Sequence, residues 1–156
     1  MRILCIAAAG GHLEQMLVCL DAFAGHEIVL AHYNYLSLRS FRDPRIRSSI
    51  DVYYGGDNWW RLLLGTLYGI VGWTQILLRF RPQVIFSTGA EIAIVPFWLG
   101  RILFGARCIF LETAARQDSP SVTGRLVYPV CHRMFVQSKT LLRHYGPKAR
   151  FAGMLL

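Results

Sequence analysis

The chain has 156 residues, 54% of them hydrophobic, and seventeen Lys and Arg against nine Asp and Glu give a formal charge of +8. That length is one domain's worth with room for a real core, and so apolar a composition raises the expectation of contact with lipid. The positive balance favours phosphate-bearing partners, either nucleic acid or anionic lipid and lipid-linked diphosphates. Cys5, Cys19, Cys108 and Cys131 lie in or beside apolar runs without C-x-x-C or Cys/His zinc spacing. They read as buried cytosolic thiols, and neither a metal site nor a bound cofactor is expected.

Residues 1–9 are short and almost uniformly apolar, as expected of a strand buried on both faces of a parallel sheet, and they lack the basic and long apolar regions of a signal peptide. Gly10 and Gly11 end that run, after which Leu13, Met16, Leu17, Leu20 and Phe23 recur at helical spacing. The order strand, glycine turn, helix places free backbone N–H groups at a helix start, a site for phosphate or another anion. Residues 27–31 and 50–54 read as the next two strands. Between them, "LRSFRDPRIR" carries Arg39, Arg42, Arg45 and Arg47. These either lie against anionic lipid with Phe41 and Ile46 dipping in, or form a solvated loop that Asp43 partly neutralises.

Residues 58–82, "NWWRLLLGTLYGIVGWTQILLRFRP", hold no charge between Arg61 and Arg79. As a helix the uncharged stretch would be roughly 25 Å long, a little short of a bilayer's hydrocarbon core. Trp59, Trp60 and Trp73 with Arg61, Arg79 and Arg81 are what an interfacial helix carries, aromatics at headgroup depth and cations on the phosphates. Gly65, Gly69 and Gly72 share one face that suits close helix packing. A buried crossover helix is the other reading. A full crossing is disfavoured, since consecutive strands of one sheet stay on one side of the membrane. Further on, strands are expected at 84–87, 107–111 and 133–136, and helices at 92–104, 123–131 and 138–145. This alternation argues an α/β fold, a doubly wound parallel sheet in one domain spanning 1–156, with the 58–81 helix inserted between strands three and four. Ligands of such sheets sit beyond the carboxyl ends of the strands, where the Gly10 turn and the 87–91 turn both fall.

The fingerprints of common nucleotide sites are missing. Aligned on Gly10, the positions of G-x-G-x-x-G hold Ala8, Gly10 and Leu13, and Ala31, His32 and Tyr33 stand where an acidic ribose ligand belongs. No Gly-Lys-Ser/Thr occurs, so a Walker A loop is excluded. No zinc finger, RNP or helix-turn-helix signature accompanies the arginines, which disfavours nucleic acid.

"AAAGGHLEQM", "VIFSTGAEIAIVP", "FLETAARQDSPSVTGRLVYPVCHRMFVQS" and the final "FAGMLL" together resemble, in order and spacing, the acceptor-side (PssD-type) subunits of split bacterial exopolysaccharide glycosyltransferases. Those subunits are similar to the membrane-anchored subunit of the two-part UDP-GlcNAc transferase of the dolichol pathway, and more distantly to the N-terminal domain of the peptidoglycan N-acetylglucosaminyltransferase. The resemblance implies a Rossmann-like half of a GT-B glycosyltransferase, on the cytoplasmic face of the inner membrane as a peripheral or monotopic protein. It implies a separate sugar-nucleotide-binding subunit as partner, holding the UDP-sugar, and an undecaprenyl-diphosphate-linked saccharide as acceptor.

Within that frame Gly10, Gly11, Thr88 and Gly89 would bring backbone N–H groups to the lipid diphosphate or the transferring centre. Inverting transfer needs a base for the acceptor hydroxyl, and His12, Glu91 and Glu112 are the candidates. Arg116, Thr123, Gly124 and Arg125 would contact acceptor or partner. The same residues admit plainer roles: His12 bonded to its own turn, Glu91 favouring a helix first turn, Glu112 with Arg116 and Arg125 as an ion pair bracing a loop, and the stretch with Ser119, Pro120, Ser121 and Thr123 as a turn and N-cap before Gly124. A non-catalytic membrane anchor for the sugar-nucleotide subunit is the alternative function, and members of the family often use glucuronic acid as the sugar.

Overall fold

The structure, a computed structural model, describes residues 1–33, 42–52 and 59–155, the stretch 59–68 by its backbone alone. Seven strands, β1 (Arg2–Ile6), β2 (Glu27–Tyr33), β3 (Ser48–Val52), β4 (Val84–Ser87), β5 (Arg107–Leu111), β6 (Arg133–Val136) and β7 (Ala149–Phe151), form one sheet in the order β3-β2-β1-β4-β5-β6-β7. Every pairing is parallel, which is the expected doubly wound arrangement. The register puts Leu4 beside Val29 and Ile85, and Ile85 beside Cys108, all facing one core cluster. Their neighbours Cys5, Leu30 and Phe86 face the other. Period-two alternation between two buried faces is why β1 reads as an unbroken apolar run.

Right-handed crossovers then decide where the helices lie. The step from β1 to β2 goes one way and carries α1 (Gly11–Cys19), whose Leu13 and Met16 cover the Cys5 face together with Leu20 just beyond it. The steps from β3 to β4, β4 to β5 and β5 to β6 go the other way. They carry α2 (Trp59–Phe80), α3 (Ile94–Phe104) and α4 (Val122–Val127), whose Trp73, Leu77, Phe97 and Val127 fill the Leu4 face.

Helix α2 occupies the expected span, but Trp73 does not face lipid. Its indole is 3% exposed and packs with Leu77 in the core, because this helix is the cover for the centre of the sheet and the indole is a large apolar group it can put there. The outward stripe is Ile70, Val71 and Leu78 instead, with Arg79 and Arg81 exposed near its end. The side chains of Trp59, Trp60 and Arg61 lie outside the described residues. Among those described, no helix is long and apolar enough to cross a membrane.

Where it is described, the basic loop follows the second of its two readings, with Asp43 neutralising part of its charge. Arg45 bonds Asp43 and Asp21 at 2.7 Å each, Arg47 pairs with Glu27, and Ile46 packs against the Cys5-side core. Arg39 and Phe41 lie outside the described residues. The third strand begins at Ser48, and residues 53 and 54, expected as its end, are likewise outside the description. The helix expected at 123–131 breaks into α4 and a 3₁₀ turn at Tyr128–Val130, where Pro129 supplies no N–H. That expected at 138–145 is a 3₁₀ turn, Lys139–Arg143, capped by Ser138. Strand β7 was not expected from the sequence: three residues with Arg150 turned outward carry too little pattern. Cys5, Cys108 and Cys131 are buried as expected, and burial pushes the thiols of Cys5 and Cys108 up to about 12. Cys19 is half-buried.

Trp73 provides the stability test of this packing. Trp73→Ala is expected to lower unfolding free energy by about 3–5 kcal/mol, read from the urea midpoint. A loss under about 1 kcal/mol, the scale of a surface substitution, would take the indole out of the core.

Candidate functional site

The carboxyl ends of β1 and β4 lie side by side, Ile6 against Ser87, because the strand order changes direction between them. Each strand ends in a turn that only small residues fit. After β1, Gly10 adopts φ 78° and starts α1, with no side chain capping the helix. Its carbonyl accepts the Leu13 and Glu14 N–H groups at 2.9 and 3.1 Å. Gly10 and Gly11 are exposed, so the first N–H groups of α1 stand open to an anion. After β4, Ser87 Oγ accepts the Gly89 N–H at 3.2 Å, and Gly89 and Ala90 both have positive φ, 118° and 69°.

A reciprocal pair of hydrogen bonds joins the two turns. His12 Nδ1 donates to the Thr88 carbonyl at 2.9 Å, and Thr88 Oγ1 donates to the His12 carbonyl at 2.6 Å. A carbonyl can only accept, so Nδ1 carries the proton and the neutral ring keeps its lone pair on Nε2. The Cε1–Nδ1 edge of the imidazole packs against Gly89, where a β-carbon would stand 2.6 Å from His12 Cε1 and 2.8 Å from Nδ1. Gly89 is therefore glycine for two reasons, its backbone angle and the ring above it. Thr88, expected among the acceptor contacts, is 0% exposed with its hydroxyl committed to His12. It builds the turn from beneath.

Glu91 follows in the 3₁₀ turn Glu91–Ala93 that leads into α3, exposed, with Oε1 accepting from Tyr33 Oη of β2 at 3.0 Å. Glu112, at the end of β5, is in a different situation. It is 0% exposed, Oε1 accepts the Thr113 N–H at 3.1 Å, and Oε2 accepts the Ser121 N–H and hydroxyl at 3.1 and 3.0 Å and the Tyr145 hydroxyl. Among the described residues it pairs with no arginine. Glu112 is thus corrected from candidate base and from ion-pair partner to an anchor: four neutral donors spend its acceptor capacity and close the 113–121 loop over it. Burial first and then the Glu112 carboxylate push the Tyr145 phenol well above its ordinary value.

Gly124 belongs to this anchor too. A β-carbon there would meet Tyr145 Oη at 2.1 Å and Glu112 Oε2 at 2.4 Å, so Gly124 is packed inward and presents nothing to an acceptor. Of the residues expected to form a turn and N-cap before Gly124, Ser121 is the cap, its Oγ accepting the Gly124 N–H at 2.8 Å. Arg116 and Arg125 are exposed on the loop and on α4, and Thr123 is half-buried. Gly10, Gly11, His12, Thr88 and Gly89 are brought together; the Arg116 to Arg125 group stands apart from them on the loop beyond β5.

What joins the two groups is Gln137, which sequence reasoning passed over. Its Nε2 donates to Gln15 Oε1 of α1 at 2.6 Å and to the Glu112 carbonyl at 3.0 Å, and its Oε1 accepts the Leu155 N–H at 3.0 Å. Tyr145 and Gln15 were missed as well. The available signal was a polar residue set where the pattern calls for a buried one. Among the described residues no three His, Cys, Asp or Glu gather as metal ligands.

Residues 56–155 match the family model described as "Oligosaccharide biosynthesis protein Alg14 like". The UDP-N-acetylglucosamine transferase subunit ALG14 of Saccharomyces cerevisiae is 28% identical over 82 residues, taking in 48% of this chain and 35% of that protein. Acinetobacter baumannii MurG superposes with a TM-score of 0.74 at 13% identity, over 96% of this chain and 45% of MurG. A Methanocaldococcus jannaschii UDP-GlcNAc 2-epimerase, solved with UDP-GlcNAc and UDP, gives a TM-score of 0.74 at 13% identity over 99% of this chain and 47% of the enzyme. The chain thus has the Rossmann-like fold of the N-terminal half of a GT-B glycosyltransferase, and spans less than half the length of these relatives.

Tyr145→Phe removes one donor from a buried carboxylate and is expected to cost about 1.5–3 kcal/mol of stability. Urea unfolding of the variant measures it, and a neutral result would mean that the phenol does not hold Glu112.

Proposed function

The chain belongs to the Alg14-like family of oligosaccharide biosynthesis proteins, and from that premise we propose that it is the acceptor-side subunit of a two-subunit glycosyltransferase working on a lipid-linked saccharide. In this reading a separate sugar-nucleotide-binding subunit delivers the UDP-sugar, with glucuronic acid as the sugar. This chain, held at the cytoplasmic face of the membrane, presents an undecaprenyl-diphosphate-linked acceptor in exopolysaccharide or capsule synthesis. The likeness to one half of a two-domain fold supports a reading in which a second domain faces this one across the site.

The observation that carries the reading is the His12 clasp. The Nδ1–H bond to the Thr88 carbonyl fixes the tautomer and leaves Nε2 as the basic atom at the mouth of the switch point. In the transfer, the acceptor hydroxyl attacks the anomeric carbon of the sugar from the face opposite UDP, its proton passes to Nε2, and the bond to the UDP oxygen breaks with inversion. The Thr88 carbonyl then faces a cationic ring and stabilises it. The open N–H groups at Gly10 and Gly11 suit the diphosphate of the acceptor lipid. Of the two candidate carboxylates Glu91 remains exposed, while Glu112 is enclosed.

The test co-expresses this chain with a sugar-nucleotide-binding subunit and measures transfer from UDP-glucuronic acid to a glycosyl-diphosphate-polyprenol. His12→Ala is expected to lower turnover about 10²–10⁴-fold with the complex intact. Gly89→Ala should follow it in direction, since the added carbon displaces the ring. Unchanged turnover in His12→Ala and Glu91→Gln would make this chain a non-catalytic anchor.

A further inference from the structure

The three helices on the Leu4 side of the sheet do more than cover it. Of the twelve large apolar side chains exposed among the described residues, eight lie on α2, α3 and α4. On α2 they include Val71 and Leu78, two turns apart on the outward stripe. On α3 they are Trp98, Ile102 and Leu103, and on α4 they include Leu126, one turn after Val122. Helix α3 is packed against the sheet by Phe97 and Gly100 and leaves Trp98 and Ile102, at i and i+4, exposed to 38% and 65%. Stripes this apolar on three neighbouring helices form a surface that water alone does not favour.

Charge identifies the occupant. The three helices contain four arginines, Arg61, Arg79, Arg101 and Arg125, and not one Asp or Glu. At the end of α3 the field stays positive: burial and then Arg101, Arg107, Lys148 and Arg133 hold the His132 imidazole below its ordinary value. A protein partner of ordinary composition would meet apolar stripes with charges of both signs around them, whereas an anionic bilayer offers a hydrocarbon interior under a layer of phosphates. Trp98 is already suited to that interior. Its Nε1–H donates to the Leu126 carbonyl at 3.0 Å, so its one polar group is satisfied inside the protein and inserting the ring leaves no donor unpaired.

We infer that the outward face of α3 and α4, continuous with that of α2, lies on an anionic membrane surface, with Trp98, Ile102 and Leu103 in the interface and Arg101 on lipid phosphate. It moves the lipid contact from the Trp73 side of α2, which is core, onto helices that carry no such signal in the sequence. The inference rests on the functional reading above for the reason to be at a membrane, and on surface chemistry for the place of contact.

The test is co-sedimentation of the full chain with vesicles of phosphatidylcholine mixed with phosphatidylglycerol, against phosphatidylcholine alone. The wild type is expected to pellet with the anionic vesicles, less so at high salt. The triple variant Arg101→Glu, Ile102→Ser, Leu103→Ser should bind at least about tenfold more weakly, since it removes two inserted side chains and reverses one charge. Its melting temperature should hold, because all three side chains are exposed. Val18→Ser, on the opposite face, should bind as the wild type does. Equal binding by wild type and triple variant overturns the proposal. So does a triple variant that loses only self-association or only the sugar-nucleotide subunit, since the face would then be a protein interface. Vesicle binding that is lost in the triple variant, while no pairing of subunits yields transfer, supports this surface and removes the functional reading instead.

Discussion

Everything in this fold follows from the rule that a parallel strand can be reached only by a crossover, and that the crossover is right-handed. With β1 in the middle, the chain winds outward to β2 and β3 and then returns across the sheet through α2 to start again at β4. That return creates the place where two adjacent strands send their following turns apart, and the Gly10 and Gly89 turns stand on either side of it. The same rule distributes the helices unequally: among the described residues α2, α3 and α4 fall on one face and α1 on the other.

The turns at the switch point would be loose if backbone alone formed them. Three glycine or alanine positions with positive φ, at Gly10, Gly89 and Ala90, sit within one small region, and none of those conformations is self-stabilising. The exchange of two hydrogen bonds between His12 and Thr88 locks one turn onto the other. The bond that braces the turn also fixes which ring nitrogen carries the proton, so the scaffold and the tautomer depend on the same contact. Glu112 illustrates the opposite outcome. A carboxylate that binds its own loop with this completeness has nothing left to offer a substrate.

Much of this was legible in the sequence. The short, mostly apolar runs at 84–87, 107–111 and 133–136 marked strands with matching bounds, since strands covered on both faces carry few polar residues, here Ser87 and the leading Arg107 and Arg133. Gly10, Gly11 and His12 declared a turn and a helix start. What stayed hidden has physical reasons. Trp73 carries the same letters whether an indole meets lipid or a sheet, and only the winding of the chain says which. Trp98, Ile102 and Leu103 look like core in a helix of high apolar content, and their exposure depends on which stripe Phe97 and Gly100 claim. Glu112 and Tyr145 are 33 positions apart, Gln15 and Gln137 are 122 apart, and no local pattern announces such pairs.

The Gln137 carboxamide has a consequence of its own. An amide has one end that gives and one that takes, and two of its three neighbours here tolerate a single orientation: the Glu112 carbonyl must receive, and the Leu155 N–H must give. The group is therefore keyed from both sides, and Gln15 of α1 meets a donor because residues elsewhere have already set which way the key turns. Residues 152–155 are thereby wired into the polar framework beneath the helix that begins at Gly11. The order of that stretch and the seating of the helix are one property of the molecule, read through a single side chain.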